Sequence, residues 1–246
     1  MARNTIAQSS VLRGYETDFQ GEIKPSFILG LMQEIAGDHA QEMGLGFDDM
    51  RERGYIWVLS KIYAEIERRP KFGETVEVTT WPLAPGKAIC DRHYLMRVGG
   101  EVCVRAVSRW CILKMGSFRI APQSLFPCLI EQYNNEKSVD FDNWQIPPLV
   151  EEAEPAFTVR LANADYDKNR HVNNMRYADY VFDCFSVEEL ERLQLKNFQM
   201  SYLKQCYEGD VLNLYRKETV PGVFIVEGRK GAEAVVAARV CFTERK

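Results

Sequence analysis

At 246 residues the chain has room for one large domain or two of roughly 100 to 130 residues, and 46% hydrophobic content supplies packed cores, which excludes a disordered chain. Charged residues make up 27% but nearly cancel, leaving a net charge of -4 and a pI near 5.6. Neither a nucleic-acid surface nor an acidic tail is indicated, and any polyanionic partner must be met by a local basic patch.

In chain order, the opening MARNTIAQSSVLRGYETDF lacks the apolar core of a signal peptide, and no later stretch approaches the ~20 apolar residues of a membrane span. The expectation is a cytoplasmic protein with no membrane insertion. The segment from Ser26 to Gly44 then places Ile28, Leu31, Met32, Ile35, Ala36, His39, Ala40 and Met43 on one stripe at helical spacing. It reads as a long helix with one buried face. Four strands follow: GYIWVLSKIYAEIERRP, TVEVTTW after a Gly73-Glu74 turn, and the runs AICDRHYLMRV and EVCVRAVSRWCILK joined through Gly99-Gly100.

Between residues 121 and 155 stand five prolines (Pro122, Pro127, Pro147, Pro148, Pro155) and many acids, which suits a long surface connection. The domain boundary is placed within it, giving units 1–145, with the linker from about 121, and 146–246. The second half repeats the order of the first. A helix opens near Asn173 with Tyr177, Tyr180, Val181, Cys184 and Phe185 as its apolar stripe, and KNFQMSYLKQCY, VLNLYRKE, VFIVEGR and EAVVAARVCFTER follow as strands. The Gly-acid turns at Gly73 and Gly209 are 209 - 73 = 136 residues apart, and the last strands, from Glu101 and Glu233, are 233 - 101 = 132 apart. Such matched offsets indicate a duplicated α+β unit in which a sheet buries the stripe of a helix.

The seven cysteines are odd in number and show no CxxC or His/Cys cluster, so they read as reduced, mostly buried thiols, with no metal and no cofactor expected. The chemistry-bearing stretch is Asn163 to Tyr177, NADYDKNRHVNNMRY, in which Asp167, Asn169 and His171 alternate before the helix. If that approach is extended, the three side chains project to one side, and an acid, an amide and an imidazole converge at a helix N-terminus. Asn173 is a good N-cap, and the free N–H groups of a first helical turn favour negative charge such as a thioester-derived oxyanion. Asx-rich segments before helices also serve only to cap and turn. The equivalent approach in the first half, QGEIKPSF, has no Asn or His, and a duplicated fold needs only one active copy.

These residues carry a resemblance. The sequence resembles the acyl-ACP thioesterases of plants and bacteria, whose catalytic domain is marked by Asp-x-Asp-x-Asn-x-His-Val-Asn-Asn, here Asp165 to Asn174 with Tyr177 following. QEIAGDH, IWVLSKI, RRPKFGETVEVTTW and GKAICDRHYLMR in the first half look like family blocks, so the resemblance runs from about residue 10 to 243. It implies a tandem (double) hot-dog, each unit an antiparallel sheet wrapped around a long central helix. The implied activity is hydrolysis of fatty acyl-acyl carrier protein, releasing free fatty acid and holo-ACP in fatty acid biosynthesis, by a monomeric pseudo-dimer or a homodimer. Acyl-CoA hydrolysis and non-catalytic acyl binding remain the alternatives.

Carried over by position, Asn169 and His171 are the implied catalytic residues and Asp167 supports them. Many family members complete the site with a glutamate in a later strand, where this chain has Gln205. An amide is no general base, which leaves Gln205 to hold water with Asp167 as the base, or Glu208 to approach instead. Cys206 as a nucleophile activated by His171 is a different mechanism. No Gly-x-Ser-x-Gly elbow occurs. Expected substrate contacts are Asn173, Trp57 beside the acyl chain, and Lys168 and Arg170, which with Arg176 and Lys204 can steer an acidic carrier protein. His39, on the first helix's apolar stripe, and His93, in mid-strand, read as packing residues.

Overall fold

The computed structural model describes residues 3–84, 86–121, 133–149, 154–167 and 170–245. The chain divides into two units, Met1–Phe141 and Asp142–Lys246. The first contains β1 (Ile6–Val11), α1 (Pro25–Glu42), α2 (Phe47–Glu52), β2 (Tyr55–Ile66), β3 (Thr75–Pro82), β4 (Cys90–Val98), β5 (Glu101–Lys114) and β6 (Ile120–Ala121). The second contains β7 (Phe157–Arg160), α3 (Asn174–Phe182), α4 (Val187–Arg192), β8 (Leu193–Tyr202), β9 (Val211–Val220), β10 (Val223–Lys230) and β11 (Glu233–Glu244).

Both units have the same antiparallel order. In the first it is β1-β3-β4-β5-β2, with β6 on the end of β5; in the second it is β7-β9-β10-β11-β8. With the longer helix of each unit, α1 or α3, packed against its sheet, the architecture is a tandem hot-dog of the α+β class. Helix α1 buries Ile28, Leu29, Met32, Ile35, Ala36 and His39. Each large apolar side chain so buried contributes about 1.5–3 kcal/mol. Leu29 takes the buried place expected for Leu31, which is only half-buried. His39 is held as a packing residue: its Nδ1 accepts from Arg92 on β4 (3.0 Å) and its Nε2 faces the Arg3 carbonyl (2.8 Å). Burial lowers its pKa, as a neutral ring in those contacts requires.

The second helix is shorter than expected. It spans nine residues, and Cys184 and Phe185 lie beyond its end, because the chain turns at Asp183 and Ser186 caps a separate helix, accepting the Glu189 N–H. Phe185 still reaches the core, packing edge-on against Phe224 and Phe242 with ring centroids 5.1 Å apart in both cases.

Residues 136–141 lie over the first sheet along one row of cross-strand partners, Trp81–His93–Val107–Tyr63. Trp81 Nε1 donates to the Glu136 carbonyl (2.8 Å), and Phe141 stacks on Tyr63 (3.8 Å). Between them the Ser138 N–H donates to His93 Nδ1 (3.1 Å), and Ser138 Oγ donates to the Ala106 carbonyl (2.8 Å). Burial depresses the His93 pKa from 6.5 to about 4, so the ring is a neutral acceptor at neutral pH. As pH falls below 6.5 the unfolded chain takes this proton and the folded chain does not, so stability falls until the folded pKa is reached. The expected loss from His93 between pH 7 and pH 4 is about 3 kcal/mol. Urea midpoints for the wild type and His93→Gln check this: the wild type is expected to fall more steeply with acidification, and parallel curves would contradict it.

Candidate active site

The site is built from the loop between β7 and α3. A 3-10 turn at Asn163–Asp165 opens it, a bridge pairs Tyr166 with Val172, and Asn173 caps the helix, its side chain accepting the Met175 N–H (3.0 Å). The loop is not extended. The Asp167 N–H donates to the His171 carbonyl (3.0 Å) and the Arg170 N–H to the Asp167 carbonyl (3.1 Å), while Arg170 adopts φ 63°. A reversal of that kind replaces the simple alternation expected of Asp167, Asn169 and His171. It still brings Asp167 and His171 together, Oδ1 to Nδ1 at 3.8 Å, both partly exposed. Lys168 and Asn169 lie outside the described residues.

The first unit shows what such a loop does with its side chains. Offset by 149 residues, the stretch from Leu12 to Lys24 repeats the main-chain bonds of Leu161 to Asn173. Thr17 pairs with Ile23, the Asp18 N–H donates to Glu22 O (2.8 Å), Gly21 N–H to Asp18 O (2.9 Å) and Lys24 N–H to Glu16 O (3.0 Å). Gly21 has φ 71°, matching Arg170. Asp18, Gln20 and Glu22 stand where the second unit has Asp167, Asn169 and His171. Their side chains meet at one guanidinium: Arg69 contacts Asp18 (2.6 Å), Glu22 (2.5 Å) and Gln20 (3.3 Å).

The counterpart of Arg69 follows from the same kind of bookkeeping. The Arg68 and Lys204 N–H groups donate to the carbonyls of Cys103 (3.3 Å) and Val235 (3.2 Å), and those of Lys71 and Tyr207 donate to the carboxylates of Glu74 (2.7 Å) and Asp210 (2.9 Å). Arg69 and Gln205 therefore occupy the same step of equivalent turns. β8 ends at Tyr202, so Gln205 is a loop residue rather than a strand residue; its side chain is exposed and accepts from the Tyr207 hydroxyl (3.2 Å). This loop is fastened to the first: Leu161 exchanges main-chain bonds with Gly209 and Asp210 (2.9 Å each), and the Glu208 N–H donates to the Tyr166 hydroxyl.

Cys206 is fully buried against Tyr177, and burial pushes its thiol pKa up, which opposes the thiolate a nucleophile needs. Two of the four expected basic residues have acidic partners: Arg176 is bound to Asp165 (3.1 Å) and Asp179 (2.5 Å), and Lys204 is paired with Glu233. Arg170 is exposed. Trp57 belongs to the first unit, where its Nε1 donates to the Leu45 carbonyl (2.9 Å) and its ring packs on a cluster of Met43, Leu45, Met50, Ile112 and Ala121. Among the described residues no group of His, Cys, Asp and Glu has the arrangement of a metal site, and no helix is long and apolar enough to cross a membrane.

Residues 4–122 match the model of the acyl-ACP thioesterase N-terminal domain, and residues 148–236 that of the C-terminal domain. The oleoyl-acyl carrier protein thioesterase 1 of Arabidopsis thaliana, a chloroplastic protein, is 28% identical over 226 residues, covering 82% of this chain and 61% of its own length. The chloroplastic palmitoyl-acyl carrier protein thioesterase of Cuphea hookeriana is 27% identical over 226 residues, covering 83% and 52%. The chain thus spans about half to three-fifths of the length of these curated relatives. Among solved structures, an acyl-ACP thioesterase from Bacteroides thetaiotaomicron superposes with a TM-score of 0.82 at 25% identity, covering 98% of both chains. A 12:0-ACP thioesterase from Umbellularia californica gives 0.88 at 22% identity, covering 100% and 99%.

Proposed function

From its place in the acyl-ACP thioesterase family, to which the chain belongs, we propose that it hydrolyses the thioester of a fatty acyl group carried on acyl carrier protein, releasing free fatty acid and the carrier's thiol. The observation that carries this reading is the contrast between the two loops. One scaffold of main-chain bonds gathers its i, i+2 and i+4 side chains. The first unit fills those positions with Asp18, Gln20 and Glu22 closed on Arg69, and the second carries Asp167, Asn169 and His171, with Gln205 at the Arg69 step.

The chemistry assigned to them is general acid-base catalysis. Water attacks the thioester carbonyl carbon and gives its proton to the Asp167 carboxylate, with Gln205 and Asn169 holding the water or the substrate by their amides. The oxyanion is stabilised by the positive N-terminal end of the α3 dipole. The carbon-sulfur bond then breaks, and the leaving thiolate takes a proton through His171. The first unit, with no such polar set left open, is assigned the acyl chain, with Trp57, partly buried over its core cluster, as the expected contact.

The test is release of free thiol from acyl-ACP substrates of medium length to C18, beside matched acyl-CoA thioesters. Turnover with higher kcat/KM on the carrier protein is the expected result. Absence of release from every acyl-ACP would refute the reaction, and faster turnover of CoA esters would refute the partner.

A further inference from the structure

The two loops share their main-chain bonds but not their side-chain anchoring, and the difference lies at Asp165. Its carboxylate is almost buried, at 7% exposure. Oδ2 accepts the Ala162 N–H (2.8 Å), Oδ1 accepts Arg176 Nε (3.1 Å), and the Asp165 carbonyl accepts the Asn173 N–H (2.8 Å). One residue thereby ties the start of the loop, its end and the first turn of the helix. Arg176 is fixed in turn by Asp179 (2.5 Å) and lies over the Tyr180 ring at 5.5 Å. In the first unit the counterpart is Glu16, whose carboxylate accepts the Arg13 N–H (2.6 Å), but the position matching Arg176 is Phe27. Among the described residues, an ion pair of this loop position to the helix is seen in the unit that carries Asp167 and His171.

We propose that Asp165 and Arg176 are positioning residues, which lock the 162–173 loop to helix α3 and so hold Asp167 and His171 in register with the helix N-terminus. Buried on one side and charged on both, the pair resists sliding of the loop along the helix better than main-chain bonds alone. Neither group touches the substrate in this scheme. The inference rests on the proposed thioester hydrolysis for its kinetic consequence and on geometry for its structural one.

Two measurements separate those consequences. With acyl-ACP, Asp165→Asn and Arg176→Gln are each expected to lower kcat ~10–100-fold with KM within about threefold, since misplacement by about 1 Å acts on the chemical step. The double variant should be no slower than the slower single, because both remove one contact. Asp165→Glu is the rescue variant, since Glu16 makes the same loop bond in the first unit, and it should recover most of kcat. The second measurement is amide hydrogen exchange at Asp167, Arg170 and Asn173, expected to accelerate about tenfold or more in Asp165→Asn while Ile28 and Met32 in α1 stay unchanged. Unmoved exchange at the three loop amides overturns the proposal, as does a kcat within twofold of wild type in an active enzyme. Should the wild type turn over no thioester, the reaction assignment falls and the exchange result alone decides the locking role. Where Asp165→Asn fails to fold, Arg176→Gln, at a more exposed position, carries both measurements.

Discussion

Arg69→Ala is expected to destabilise the first unit by about 3–5 kcal/mol, the cost of stranding buried charge when one member of an ion-pair set is removed. The side chains of Arg69, Asp18 and Glu22 are only 11%, 18% and 12% exposed, so water reaches them poorly. Deleting the guanidinium leaves two neighbouring carboxylates without their cation. It also removes the donors to the Gln20 amide (3.3 Å) and the Ile23 carbonyl (3.4 Å), which close the loop in front of α1. Urea unfolding followed by tryptophan fluorescence measures the loss, because Trp57, Trp81 and Trp110 all lie in this unit. Arg69→Ala combined with Asp18→Asn and Glu22→Gln removes the stranded charges as well, and should regain a large part of the stability. A loss below about 1 kcal/mol for the single variant, the size of a surface pair, would mean that the cluster is solvated rather than structural.

That clasp gives a physical reason to place the candidate centre in the second unit. Two carboxylates neutralised by an internal arginine offer nothing to a thioester. The same positions in the second unit carry an imidazole and two amides in place of Glu22, Gln20 and Arg69.

The parts of the fold legible in the sequence were those with long periodic patterns. Helix α1 and the eight longer strands announce themselves through apolar spacing and Gly-acid turns, and the offsets of 136 and 132 residues reveal the duplication. β1 escapes notice because IAQSSV buries only its first residue, and β7 because four residues carry too little pattern. α3 was over-read because Cys184 and Phe185 continue its spacing, although the chain leaves the helix at Asp183. In the site, the residue types were legible and the backbone was not. A reversal through Arg170 at φ 63° is hidden where no glycine marks it, and of the aligned loop residues only Leu12/Leu161 and Asp18/Asp167 are identical. The roles of Arg69 and Asp165 emerge from hydrogen bonds between segments distant in sequence, which no spacing rule encodes.

His171→Ala is expected to reduce hydrolysis of acyl-ACP about 10³-fold, within the range for removing a group that transfers protons in the transition state. The imidazole is half-exposed, 3.8 Å from the Asp167 carboxylate, and its main-chain carbonyl rather than its ring holds the loop together, accepting the Asp167 N–H. Truncation to alanine therefore removes the proton donor for the departing thiolate and leaves the loop bonds in place. The loss should fall on kcat, with acyl binding retained and little change in thermal stability. Gln205 sharpens the comparison, because an amide at that step cannot take a proton from water, and Asp167 is the base we propose in its place. Asp167→Asn and His171→Ala are accordingly expected to fail together, each losing about 10³-fold, in assays of thiol release from the carrier. If wild type and His171→Ala instead release thiol at the same background rate while both bind acyl chains, the protein is an acyl binder, and the second unit's loop is a capping structure without catalytic work.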